Sequence, residues 1–196
     1  MKIQSNLKRL FVSRTRQKLI QILFYSPNNF FYVRQLVRLT GEEINSVRRE
    51  LANLKLAGVV LAESRANKLY YSANFDSPFF PQLLIVANQT IGLGQAVYER
   101  LDKLSGLRIL LYSYQFAINQ ASQPNHIDLI VVGELAPKEI EGLIKDEEQR
   151  RGREINYMLM PRSEYKLRCQ KRDPFIVDFF LDHPLLIVGS PKDLVS

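Results

Sequence analysis

Residues 40–60 (TGEEINSVRRELANLKLAGVV) constrain the fold of this chain more than any other stretch. Their apolar residues recur at helical spacing and form one stripe, which consists of Ile44, Val47, Leu51 and Leu54. A glycine at position 58 lets the backbone turn out of a helix. The pattern therefore predicts an amphipathic helix over residues 43–56, with one buried face and one polar face.

The segments on either side of this helix predict its structural context. Before it, residues 33–39 predict a shorter helix, and Ser13 is expected to cap an earlier one. The apolar residues 30–32 are expected to pack between helices. After the helix, the β-rich segments 59–61 and 69–71 enclose a polar, mostly basic tip. Two helices followed by a basic hairpin are typical of a winged helix-turn-helix, in which the second helix enters the major groove of DNA.

The polar face of the 43–56 helix supplies candidate contacts to duplex DNA. Asn45, Ser46 and Arg49 are expected to contact base edges, because arginine can bond a guanine bidentately and asparagine an adenine. Arg48 is expected to reach a phosphate. The remaining cations are expected to hold the DNA backbone or enter the minor groove, and they are Arg34, Arg38, Lys55, Arg65 and Lys68. The alternative is a winged helix that contacts only other proteins.

The distribution of charge favours nucleic acid as the partner. Residues 1–73 contain 13 lysines and arginines against 4 glutamates, a net charge of +9, whereas residues 74–196 contain 14 against 16 acids, a net charge of −2. A basic domain beside a near-neutral one is what binding to a phosphate backbone requires, although basic charge can also serve solubility alone. Glu42 and Glu43 oppose this charge, and we expect them to stabilise the helix N-terminus or to accept a hydrogen bond from a cytosine.

The rest of the chain predicts a connecting region and a second domain. Residues 75–104 predict an interrupted, very apolar helical region. Such a helix is expected to pack against a second copy of the chain, which predicts a homodimer; the alternative is packing on the chain's own domains. From residue 105 the pattern predicts a small α/β domain with strands at 108–112, 127–132, 155–160 and 185–188. The chain is thus predicted to be α+β, divided into 1–74, 75–104 and 105–196.

Both predicted domains resemble known families. The N-terminal part, LxxLTGEEINSVRRELANLKLAGVV followed by a hairpin ending in YYSAN, resembles ArsR-type winged helix-turn-helix transcription regulators. Three later segments resemble the minimal nucleotidyltransferase domain found fused to such regulators: RILLYSYQFAINQASQPNHIDLIVVGE, GREINYMLMPRSEY and RDPFIVDFFLDHPLLIVGS. The resemblance implies a transcription regulator that binds double-stranded DNA, followed by a nucleotidyltransferase-like domain.

The second resemblance also implies where a catalytic site would lie. In active members of that fold, a Gly-Ser pair approaches the nucleotide phosphates, and an Asp-x-Asp and a third carboxylate hold two magnesium ions. The matching positions are Tyr112-Ser113, then His126-Ile127-Asp128, and then Glu154 or Asn156. The site is degenerate, because a tyrosine replaces the glycine and a histidine, which is a poor magnesium ligand, replaces one carboxylate.

The degenerate site, Ser113, His126, Asp128 and Glu154, predicts a domain without transferase activity, metal or cofactor. Asp128 can equally cap a loop, and His126, which follows Pro124-Asn125, is expected to be a surface residue. Two alternatives remain for the domain. One is an active nucleotidyltransferase that uses magnesium and a nucleoside triphosphate, and the other is a regulator that binds a nucleotide as its effector.

Other function classes find no support in the sequence. The single cysteine, Cys169, excludes an intrachain disulfide and argues against a structural zinc site. There is no Walker loop, no dinucleotide fingerprint and no metal-spaced cluster of cysteines and histidines, so a metal sensor is disfavoured. The apolar runs are too short to span a bilayer and the N-terminus lacks the pattern of a signal peptide, which predicts a cytoplasmic protein without membrane contact.

Overall fold

The computed structural model describes Arg9, residues 11–120 and residues 126–195 of the chain. It has mixed α and β structure, which agrees with the predicted α+β class. The described residues form two compact units, which are divided between Thr90 and Ile91, and each unit has its own sheet. Within the described part, no helix is both long enough and apolar enough to cross a membrane.

The N-terminal unit combines helices with a three-stranded antiparallel sheet. Its helices are α1 (Arg14–Tyr25), α2 (Val33–Thr40), α3 (Ile44–Leu56) and α4 (Phe80–Thr90). Its strands are β1 (Phe31–Tyr32), β2 (Val60–Arg65) and β3 (Lys68–Ala73), in the order β1-β3-β2.

Helix α3 forms as predicted because its local signals agree. Val47, Leu51 and Leu54 of the apolar stripe are buried, whereas Ile44 at its start is partly exposed. The preceding α2 ends at Gly41, whose φ of +63° is a left-handed conformation that glycine adopts without a Cβ clash. The turn between α2 and α3 is therefore encoded in the sequence.

Residues 30–32 depart from their prediction. Phe31 and Tyr32 form β1, which pairs with β3 through Phe31 opposite Tyr71 and Tyr32 opposite Tyr70. The hairpin strands are also longer than predicted, so that only Ala66 and the following residue lie between β2 and β3. The apolar character of residues 30–32 did not indicate a strand, because its hydrogen-bonding partner lies about 40 residues away in the sequence.

The C-terminal unit contains a mixed sheet with helices around it. Its helices are α5 (Gly92–Glu99), α6 (Tyr114–Ala117), α7 (Pro137–Arg151), α8 (Arg162–Gln170), α9 (Pro174–Leu181) and α10 (Pro191–Val195). Its strands are β4 (Leu107–Tyr112), β5 (Leu129–Gly133), β6 (Tyr157–Met160) and β7 (Leu185–Val188). The strand order is β6-β5-β4-β7; β5 and β6 are parallel, and β4 is antiparallel to both of its neighbours. All four predicted strands are present, although β5 and β6 each begin two residues late.

The predicted connecting region, 75–104, is divided between the two units. Helix α4 belongs to the N-terminal unit, where the rings of Phe24 and Phe80 lie 5.6 Å apart. Helix α5 belongs to the C-terminal unit, where the hydroxyl of Tyr98 donates to the carbonyl of Ile187 at 2.7 Å. The apolar residues of this region thus contribute to two separate cores rather than to one connecting helix.

Candidate functional site

The polar face of α3 presents the predicted DNA contacts at the surface. Asn45, Arg48 and Arg49 are exposed and Ser46 is partly exposed. Lys55, in the last turn of the same helix, is also exposed. These residues occupy the helix positions that the buried stripe leaves free, so the surface can accept a partner without any change in the core.

The two acids before α3 are bound within the protein. Glu43 caps the helix, and its Oε2 accepts from the backbone N–H of Asn45 at 3.0 Å and of Ser46 at 3.2 Å. This confirms the helix-stabilising interpretation for Glu43. Glu42 instead accepts from the ammonium of Lys18 at 2.6 Å and lies 3.3 Å from Nε of Arg14. The hydrogen bond from Lys18 is the main cause that lowers the pKa of Glu42.

The cations of helices α1, α2 and α3 fall into two groups. Those of α1 are used inside the unit: Arg14 and Lys18 pair with Glu42, and Arg16 donates to the buried Glu50 at 2.8 Å. A second group is exposed and forms no ion pair within the described part of the chain, and it consists of Arg34, Arg38, Arg48, Arg49 and Lys55. The positive charge of α2 and α3 is therefore available to an external partner.

The hairpin cations have aromatic neighbours that the sequence did not reveal. The guanidinium of Arg65 lies 3.9 Å from the ring centroid of Phe30 and donates to Glu63 at 2.8 Å. The ammonium of Lys68 lies 4.9 Å from the ring centroid of Tyr32. The aromatic run at residues 30–32 was the available signal, but only the β1–β3 pairing shows that it lies beneath the hairpin.

In the C-terminal unit, the structure brings Ser113 and Asp128 together. Both residues are fully buried, and the backbone N–H of Ser113 donates to the carbonyl of Asp128 at 2.8 Å. The hydroxyl of Ser113 accepts from the N–H of Phe116 at 3.1 Å and so caps the short helix α6. Antiparallel pairing explains this juxtaposition, because the end of β4 meets the start of β5.

Arg153 and a backbone amide hold the carboxylate of Asp128. The guanidinium donates to Oδ2 at 3.2 Å and to Oδ1 at 3.4 Å, and the N–H of Asn156 donates to Oδ2 at 3.0 Å. Asp128 thus does more than cap a loop, because it carries a buried charge with a specific counter-ion. Sequence reasoning missed Arg153, since nothing in the local pattern relates it to a residue 25 positions earlier.

Glu154 and His126 do not complete a metal site with Asp128. Glu154 is exposed, and the described residues contain no group of three or more histidines, cysteines and acids that could hold a metal ion. The side chain of His126 is 20% exposed, and its Nε2 lies 3.7 Å from Oδ2 of Asp182, which follows α9. His126 is therefore partly covered by the end of α9, and its surface position stays a prediction.

A cavity of about 440 Å³ opens beside His126. Its polar lining includes Gln115, Asp178 and Asp182, and its walls include the rings of Phe175 and Phe179. Among the described residues, neither lysine nor arginine lines this cavity. Its side chains therefore supply acceptors and negative charge, which disfavour the phosphates of a nucleotide.

A second buried ion pair binds the short helix α6, which follows β4. Arg151, which is 3% exposed, donates to Glu147, which is 1% exposed, at 2.7 Å. The same guanidinium donates to the carbonyl of Phe116 at 2.8 Å and lies 3.8 Å from its ring centroid. The i, i+4 spacing of the two residues predicts a pair, but only the fold shows that the pair is buried.

No protein-family model, curated protein or solved structure matches this chain. The case for a function therefore rests on the arrangement of side chains in the two units. In the N-terminal unit, the cations of α2 and α3 are exposed and form no ion pair among the described residues. In the C-terminal unit, Arg153 binds the buried carboxylate of Asp128.

Proposed function

We propose that this protein is a transcription regulator that binds duplex DNA through a winged helix-turn-helix formed by α2, α3 and the β2–β3 hairpin. Helix α3 is the recognition helix and the hairpin is the wing. The order of these elements, the glycine turn at Gly41 and the packing of α3 through its apolar stripe support this assignment.

The observation that carries the proposal is the division of the cations. Each glutamate in residues 9–73 is bound internally: Glu42 and Glu50 by cations of α1, Glu43 by the start of α3, and Glu63 by Arg65. The exposed arginines of α2 and α3 therefore face solvent without a carboxylate partner. A surface of this kind attracts a polyanion, since binding releases the counter-ions of the phosphate backbone.

The proposed contacts follow from position along α3. Asn45, Ser46 and Arg49 contact base edges in the major groove, and Arg48 contacts a phosphate. The two arginines of α2 and Lys55 hold the backbone on either side of the groove. Because the first turn of α3 is capped internally by Glu43, its base-contacting side chains are presented from a rigid helix start.

For the C-terminal unit, we propose a nucleotidyltransferase-like domain that does not transfer nucleotides. The guanidinium of Arg153 supplies the positive charge that the carboxylate of Asp128 would otherwise take from magnesium. The acid-lined cavity beside His126 adds support, since it disfavours a triphosphate. Pyrophosphate release from labelled nucleoside triphosphates and magnesium by the wild-type protein would contradict this part alone. The homodimer stays a prediction, and sedimentation measures it directly.

The DNA proposal is tested by selecting genomic fragments that bind the protein and titrating the selected duplex at several salt concentrations. Affinity should fall steeply with salt, with a slope of about −0.9 per neutralised phosphate. Joint substitution of Arg48, Arg49 and Lys68 by alanine should abolish selective binding and reduce the slope.

A matched control is the joint substitution of Lys138, Lys145 and Lys171 by alanine, because these exposed residues of the C-terminal unit remove the same charge. The control should bind the duplex as the wild type does. Equal loss in both variants would mean that net charge alone drives binding, and unchanged affinity in the first variant would overturn the proposal.

A further inference from the structure

Aromatic rings of the three-stranded sheet, and of the residue before its first strand, lie beside the hairpin cations. Tyr32 and Tyr70 are register partners across β1 and β3, and their rings lie 6.1 Å apart in an edge-to-face arrangement. Phe30, immediately before β1, is 42% exposed. The strand β1 thus adds an aromatic edge to the hairpin, and we name Phe30 and Tyr32 the aromatic ledge.

Each cation beside the hairpin turn lies over one ring of the ledge. Arg65 lies over Phe30 and Lys68 over Tyr32, at the distances of 3.9 Å and 4.9 Å given above. Arg65 and Lys68 are themselves register partners, at the last paired position before the turn. The ledge therefore holds two side chains that project from the same end of the hairpin.

Long cationic side chains normally lose rotamer freedom when they bind a phosphate. A ring face beneath the cation restricts these rotamers before binding and leaves the outer side of the charge open to solvent. The hydrogen bond from Arg65 to Glu63 restrains the same guanidinium from a second side. The hairpin cations are thus partly ordered in the absence of a ligand.

We propose that Phe30 and Tyr32 are positioning residues for DNA binding, which hold Arg65 and Lys68 in the orientation that contacts the duplex. This inference rests on the proposed function and adds two residues that touch no DNA. The competing explanation is that the rings only pack within the sheet. In that case, the effect of replacing a ring on DNA affinity would not depend on the cation above it.

A double-mutant cycle separates the two explanations. Phe30→Leu keeps an apolar side chain but removes the ring face, and it should weaken binding of the selected duplex about two- to five-fold. In an Arg65→Ala background, the same substitution should have no further effect. Phe30→Tyr should bind as the wild type does, because it keeps a ring. The salt slope should be unchanged in Phe30→Leu and shallower in Arg65→Ala.

If the effects of Phe30→Leu and Arg65→Ala on duplex affinity are additive, or if Phe30→Leu loses no affinity, the inference is overturned while the DNA-binding proposal stands. Absence of duplex binding by the wild-type protein would instead remove the proposed function. A measurement without DNA supports the geometry independently: ring currents from Phe30 should shift the side-chain protons of Arg65 upfield, and the shift should disappear in Phe30→Leu. Unshifted protons in the wild type would also overturn the inference.

Discussion

Arg49 in the N-terminal unit and Arg151 in the C-terminal unit occupy opposite environments. Arg49 is exposed and has no carboxylate partner within the described residues, whereas Arg151 is almost completely buried against Glu147. The two units differ little in their number of cations, 13 in residues 1–73 and 14 in residues 74–196. The difference in net charge between them therefore lies in their acids, 4 in residues 1–73 and 16 in residues 74–196.

This contrast shows how charge is divided between structure and function. A buried guanidinium has lost its hydration, and its partners must replace that hydration, so it stabilises the fold only while they remain. An exposed guanidinium keeps its hydration until a ligand displaces it. Loss of stability when an exposed arginine is replaced, or unchanged stability when a buried one is replaced, would contradict this division of roles.

The largest effect is expected from Arg153→Met, because it leaves the buried carboxylate of Asp128 without its counter-ion. The free energy of unfolding, measured by urea denaturation, should fall by about 3–5 kcal/mol. Arg108→Met is the matched control: Arg108 is exposed on β4, and its loss should cost less than about 1 kcal/mol. Adding Asp128→Asn to Arg153→Met should recover part of the stability, since it removes the carboxylate charge that Arg153 had balanced. A loss as small as that of the control would contradict the structural role of Arg153.

Arg49→Ala is expected to have a smaller effect, and on DNA affinity rather than on stability. Affinity for the selected duplex should fall by about 1–3 kcal/mol, and discrimination among base sequences should relax. The free energy of unfolding should change by no more than about 0.5 kcal/mol, because the side chain is exposed and makes no ion pair. Titration with the selected duplex measures the affinity, and urea denaturation of the same preparation measures the free energy of unfolding. Destabilisation without loss of binding would reverse the assignment.

The smallest effect is expected from Glu42→Gln, which removes the ion pairs of Glu42 with Arg14 and Lys18 of α1. The hydrogen bond from Lys18 lowers the pKa of Glu42 below its usual 4.5, so the ionised form is stabilised in the folded state. That stability is present above pH 4.5 and is lost as pH falls through the folded pKa.

Wild type should therefore exceed Glu42→Gln in stability at pH 7, by less than about 1 kcal/mol, and the difference should narrow at pH 3. Thermal unfolding at both pH values measures it. Glu154→Gln is the control, because Glu154 is exposed, and it should show no comparable narrowing. A difference for Glu42→Gln that persists at pH 3 would mean that its carboxylate charge contributes nothing.

Features that depend on neighbours in the sequence were predictable. The helix at residues 44–56 follows from a period of 3.6 residues, and Ser13 caps α1 by accepting from the N–H of Arg16 at 3.2 Å. The four strands of the second sheet follow from short apolar runs. For the candidate sites, the exposed polar positions of α3 could be named, because helical geometry places them opposite the apolar stripe.

Features that depend on distant residues were not predictable. Three features depend on segments that carry no local sign of one another in the sequence. They are the pairing of β1 with β3, the approach of His126 to Asp182, and the division of residues 75–104 between two cores. Glu154 shared a strand pattern with Asn156, yet Glu154 is exposed, whereas the backbone N–H of Asn156 donates to the carboxylate of Asp128.

Charge and helical period are properties of the amino-acid sequence, so the sequence alone shows that the N-terminal part is basic and that α3 has one apolar and one cationic face. Which of those cations form ion pairs depends on the folded structure. An ion pair forms only where folding brings two groups within a few ångströms, as it does for Arg16 with Glu50 and for Arg153 with Asp128. The cations left over after that pairing give α3 an exposed positive face, and the proposed binding to DNA rests on that face.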